Sequence, residues 1–224
     1  MNPSLFETNQ NAVLSYWALR RSVGAIGVAL PFVLAIGGMV AFDVGLQSSI
    51  SAYYYTGMRD GFVGSMCAVG VFLLSYRFGK LDDVLGDVAG VSAIGLALFP
   101  AAAASASGWE RAAGIAHFVF AAVFFGALAI FSLVLFTRSG GDETPRKLVR
   151  NWIYRVCGWT IVACIVLAVV TGLLLDGTVK AELKPLFWLE TVAILAFGVS
   201  WLVKGEALLG DRPQLDQHSA VRIN

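Results

Sequence analysis

AAGIAHFVFAAVFFGALAIFSLVLF, residues 112–136, runs without a single Asp, Glu, Lys or Arg. As a helix rising 1.5 Å per residue it is more than long enough to cross the roughly 30 Å of hydrocarbon in a bilayer. Lipid offers no hydrogen-bond partners, so a backbone in that setting must satisfy itself, and a helix does so within one segment. Five further stretches read the same way: 23–42, 61–76, 84–104, 157–175 and 186–203. The second is short and borrows a last turn from Arg77 or from the aromatic run before it. No stretch alternates with a period of two, which excludes a membrane β-barrel. The expected fold is therefore all-α: a polytopic integral membrane protein built as a six-transmembrane-helix bundle.

Composition agrees. The chain is 58% hydrophobic and 14% charged, with a mean hydropathy of +0.74, far from the half-apolar, quarter-charged mix of a soluble domain. A net charge of +1 argues against a nucleic-acid partner, which would need many phosphates neutralised. Cys67, Cys157 and Cys164 lie inside apolar stretches without CxxC or Cys/His spacing, so they read as packing residues. No cofactor motif is present and no metal is expected, since one membrane His and scattered acids lack the spacing that fixes a site.

The distribution of charge sets an expected orientation. With six spans, 12 of the 16 Lys and Arg fall on the side of the two termini and the second and fourth loops, which makes that side cytoplasmic. Three regions follow: residues 1–22, a cytoplasmic segment in which 11–21 suits a short interfacial helix; 23–204, the membrane domain; and 205–224, a cytoplasmic polar tail. No cleavage pattern follows the first span, so it is expected to stay. The expected home is the cytoplasmic (inner) cell membrane, crossed several times.

Against this background SISAYYYTGMRDGF, residues 49–62, stands out as a polar and aromatic loop at the outer face. Tyr53, Tyr54 and Tyr55 read either as interface anchors or as walls of a binding site; three in a row cannot all point the same way. Counting residues inward from the outer face puts Asp60, His117 and Glu190 within roughly 6 Å of one level. Ionisable groups at such depth are costly unless they face a bundle interior or a wet cavity. Each has a plainer role: Asp60 as a helix-start acid, Glu190 as an ion-pair partner of Arg59, Arg111 or Lys184, His117 as a single interhelical hydrogen bond. Together they would suit acid/base work, with His117 as base, Glu190 or Asp60 orienting it and Ser49 or Ser51 as nucleophile, although no GxSxG elbow is present. Equally they would suit binding alone, with Arg59 and Arg111 on phosphate, the tyrosines on acyl or glycan and Glu190 on an amine.

The order of certain residues resembles a known group. Ile50-Ser51, Thr56-Gly57, Phe62-Val63-Gly64, His117, Trp152 with Arg155, and Glu190 resemble the DRAM/Frag/Sfk superfamily of six-span membrane proteins and related bacterial families. The resemblance covers roughly residues 23–204, while SAYYYTGMRD replaces a shorter turn in the eukaryotic members. It implies a polytopic protein concerned with lipids or membrane organisation. The functional expectation is a protein that binds a lipid headgroup in an outer-leaflet polar cavity, with modification of that headgroup as an extension. The competing expectation is a scaffold or accessory subunit that packs on a membrane-protein partner, or on its own copies, through small-residue faces such as Gly86-x-x-x-Gly90.

Overall fold

The computed structural model describes residues 3–102, 106–138 and 144–209, with side chains from residue 17 onward. Among the described residues every regular element is helical: α1 (Pro3–Phe42), α2 (Arg59–Leu74), α3 (Lys80–Leu98), α4 (Gly108–Ile130, continued by a π turn over Phe131–Leu135), α5 (Pro145–Leu174), α6 (Gly177–Leu183) and α7 (Pro185–Lys204), plus a 3-10 turn at Ser51–Tyr55.

Among the described residues four segments are long and apolar enough to cross a membrane: Trp17–Phe42, Gly108–Leu135, Pro145–Leu174 and Pro185–Lys204. Their outward surfaces are apolar, with Ile36, Val40, Val119, Leu173 and Leu174 all exposed, so this is a helical membrane-embedded protein rather than a water-soluble bundle. The two remaining long helices fall short for identifiable reasons. α2 has 16 residues, and α3 carries Lys80, Asp82, Asp83 and Asp87 in its first turns. α3 stops at Leu98 because Pro100 forces Phe99 out of the helical region, to φ −101° and ψ 106°. Residues 11–21 are not a separate interfacial element, because α1 runs unbroken through them and through Pro31. Part of the Ala101–Ala104 run, residues 139–143 and the tail beyond residue 209 lie outside the described residues.

Local chemistry explains most helix ends. α5 begins with Thr144, whose side chain accepts from the Lys147 N–H, followed by Pro145 in the first turn. α6 begins with Asp176 accepting from the Val179 N–H and ends at Lys184, whose left-handed φ of 47° turns the chain so that Pro185 can open α7. At the opposite end of the bundle, cations take the orphan carbonyls. Arg20 and Arg21 donate to the carbonyls of Lys204 and Gly205 after α7, and Lys147 donates to those of Phe136 and Arg138 after α4.

Packing is closest where glycines meet. A methyl group at Gly70 would lie 2.9 Å from the Gly90 carbonyl oxygen, and one at Gly24 would lie 2.9 Å from that of Gly198. α2 thus sits directly on α3, and α1 on α7. The small-residue face containing Gly86 and Gly90 is filled by α2 of the same chain, not left open. Beneath Arg20 lies an aromatic cluster: Trp201 meets Tyr76, Phe131, Phe136 and Phe197 edge-on at 5.2–5.9 Å. The π turn serves this cluster. Its Phe136 N–H bonds to the Phe131 carbonyl five residues back, which widens the helix so that Phe131, Leu135 and Phe136 are all buried. In the same turn Ser132 donates to Ser200 of α7 at 3.1 Å.

Candidate functional site

The other end of the bundle is closed by residues 43–58. This connection crosses the start of α7 in three steps: the Lys184 Nζ donates to the Leu46 carbonyl at 2.5 Å, the Phe187 N–H to the Ser48 carbonyl at 3.1 Å, and the Ile50 N–H to the Glu190 carboxylate at 2.6 Å. Alternate residues of an extended strap therefore meet positions three apart on one helix face. Phe187 lies in the first turn of α7, where N–H groups have no helical partner, and the Ser48 carbonyl supplies one. Glu190 is half-buried and does not pair with Arg59, Arg111 or Lys184; its bond is to the strap backbone.

The strap delivers two buried serines. Ser49 Oγ accepts from the Ala52 N–H at 3.0 Å and lies 3.1 Å from Ser51 Oγ. The 3-10 turn that follows separates the tyrosines. Tyr53 is fully buried against Gly38 of α1, and burial pushes its phenol pKa up. Tyr54 receives Arg59 Nη2 at 2.7 Å, with the guanidinium over its ring. Tyr55 is exposed, and its hydroxyl donates to the Ala101 carbonyl. Thr56 then donates to the Tyr53 carbonyl and accepts from the Met58 N–H, which leads into α2.

His117 is buried in the third turn of α4, with Nδ1 2.7 Å from the Phe99 carbonyl oxygen. A carbonyl only accepts, so this partner assigns the hydrogen to Nδ1 and leaves Nε2 of the neutral ring as an acceptor. The bond also satisfies one of the carbonyls exposed where Pro100 ends α3.

Two hollows meet at these groups. The larger, about 520 Å³, is a groove whose walls include Phe118, Ala122 and Phe125 of α4, Cys164, Ala168 and Val169 of α5, and Leu189 and Ala193 of α7. Its polar end is formed by Ser48, Ser49, Ser51, His117, Glu190 and Lys180. The smaller, about 40 Å³, lies at the bundle centre among α1, α2, α3, α4, α7 and the strap. Ser51, His117 and Glu190 line both.

Of the residues singled out from the sequence, the fold thus brings Ser49, Ser51, His117 and Glu190 to one groove. Asp60 does not join them; it is exposed in the first turn of α2 and lines neither hollow. Arg111 is exposed and Arg59 is engaged by Tyr54, and neither they nor the three tyrosines line the groove. Sequence reasoning missed the α5 wall and Lys180, whose Nζ donates to the Gly172 carbonyl at 2.7 Å. Nothing in the pattern of α5 distinguishes Ala168 from a lipid-facing residue. Among the described residues no three of His, Cys, Asp and Glu come together as a metal-binding group. No family model, curated protein or solved structure matches this chain.

Proposed function

We propose that the chain is a six-span protein of a cell membrane, with α2 and α3 as its two short spans, and that it binds a lipid: one acyl chain lies in the groove between α4, α5 and α7, and the headgroup lies at Ser49, Ser51, His117 and Glu190. The observation that carries this reading is the groove's polarity. Its walls are mostly Ala, Phe, Ile, Leu and Val, and its polar groups come chiefly from the strap and the helix ends beside it: Ser48, Ser49, Ser51, Thr171, Lys180 and Glu190, with His117. Phe118 and Val169, both more than half exposed, stand on its rim, which gives a chain in the bilayer a lateral way in. A volume of about 520 Å³ is in the range of pockets that enclose a drug-sized ligand, so it suits one acyl chain with part of a headgroup rather than a whole diacyl lipid.

The resemblance to six-span proteins concerned with lipids points the same way. The basic end, with Arg20, Arg21, Lys147 and Lys204, is read as cytoplasmic, which puts the groove's polar end in the opposite leaflet. The scaffold reading loses its main surface, because the Gly86 and Gly90 face is already covered by α2.

Native mass spectrometry of gently extracted protein tests the proposal. Wild type should retain a lipid adduct, and Ala168→Phe, which fills the groove from α5, should lose it while keeping its helical circular dichroism. Equal lipid retention by the two proteins overturns the reading.

A further inference from the structure

The small central hollow has a peculiar lining. Thirteen of its sixteen wall residues are apolar, among them Leu30, Phe62, Met66, Val69, Leu96 and Ile194, and the three polar ones are Ser51, His117 and Glu190. Those three are also the polar residues it shares with the groove. A purely apolar void of this size stays dry, whereas a void with two to four polar partners and more than about 10–15 Å³ of accessible space holds water. About 40 Å³ satisfies the second condition, and the three side chains satisfy the first.

We infer that the central hollow is a water-binding site, and that one water there joins Ser51, His117 and Glu190 into a single hydrogen-bonded network. The donors and acceptors match one for one. In this network Ser49 Oγ, which accepts the Ala52 N–H, gives its own hydrogen to Ser51 Oγ, 3.1 Å away. The Ser51 hydroxyl is then free to donate to the water. The water has two hydrogens to give: His117 Nε2 takes one, because Nδ1 is committed to the Phe99 carbonyl, and the Glu190 oxygen not bonded to Ile50 takes the other. Three hydrogen bonds are the usual complement of a buried water. The network ties the strap to α4 and α7 from the inside. It engages both ring nitrogens of His117, so a headgroup in the groove meets the remaining lone pairs of Ser49, Ser51 and Glu190.

Two measurements on the full chain decide the matter. The first is a crystal of the wild type pressurised with xenon. A water peak within hydrogen-bond reach of Ser51 and His117, with no xenon in the hollow, is expected; a xenon peak there overturns the inference, because xenon enters dry apolar cavities. The second is the substitution Val69→Ile, which adds a methyl group from α2 on a wall of this hollow that the groove does not share. Displacing a bonded water should lower the melting temperature by roughly 2–4 °C, and the drop should vanish in the Ser51→Ala/His117→Leu background. A rise in wild type means the void was dry, and an equal drop in both backgrounds means simple overpacking; either outcome overturns the inference. The xenon arm decides alone if the double variant does not fold.

Discussion

The Glu190 carboxylate holds the backbone N–H of Ile50 at 2.6 Å, across 140 positions of sequence. That bond is the third of three that join the start of α7 to the strap, and with the Phe187–Ser48 bond it brackets Ser49. Hydrogen bonds to charged groups contribute about 1.5–3 kcal/mol. Glu190→Ala should therefore destabilise the protein by about that amount, while Glu190→Gln, which keeps an acceptor oxygen, should cost distinctly less. Thermal unfolding in detergent measures both. Amide hydrogen exchange at Ile50 gives the local check, since its protection should fall in the alanine variant and persist in the glutamine one.

The bond between His117 and Phe99 predicts a specific tautomer. In the neutral ring Nδ1 carries the hydrogen and Nε2 does not. Nitrogen NMR of protein labelled at histidine should find the signal of a protonated Nδ1 and an unprotonated Nε2. Only two histidines are present, and His117→Asn identifies the resonance. The reverse tautomer would mean that the ring is oriented by some other partner, and with it the acceptor proposed for the central water would go.

Much of the architecture was legible because hydrocarbon imposes one strong constraint: long uncharged stretches must be helices. Lengths were less legible, since the apolar run continues to Ala104 although Pro100 stops α3 at Leu98, and α2 starts where Thr56 turns the chain. The placement of the candidate residues was legible along the helix axes and not around them. Counting rise per residue placed His117 and Glu190 at one level, and they do line the same groove. The same count included Asp60, which faces outward, because depth says nothing about which way a helix is turned. Glu190 invited a search for a cation, yet its partner is a backbone N–H, a donor every residue but proline carries and no pattern reveals.

The α2–α3 contact predicts an intolerance inside the chain. A methyl group at Gly90 would lie 2.7 Å from the Gly70 carbonyl oxygen, and backbone cannot retreat as a flexible side chain can. Overpacking of this kind costs about 1–3 kcal/mol. Gly90→Ala should lower the melting temperature in detergent without changing the mass of the protein–detergent particle measured by light scattering. A change in that mass with unchanged stability would instead make this face a contact between chains.

The proposed orientation rests on the cations gathered at one end of the bundle. Arg20 and Lys147 close the ends of α7 and α4 at one end, beside the short α2–α3 connection, where the Arg20 Nη2 reaches the Tyr76 hydroxyl at 2.8 Å. The opposite end carries α6 and the strap. Translocating a cluster of cations is disfavoured, so the proposed orientation puts the Arg20 end in the cytoplasm. In a variant lacking the three native cysteines, Glu182→Cys in α6 should react with a membrane-impermeant maleimide in intact cells. Lys80→Cys, at the start of α3, should react only after the membrane is opened. The reverse pattern would invert the protein and move the groove's polar end to the cytoplasmic leaflet. Labelling of both positions in intact cells would mean that α2 and α3 do not cross as a pair, and would remove the six-span reading while leaving the four long apolar helices in place.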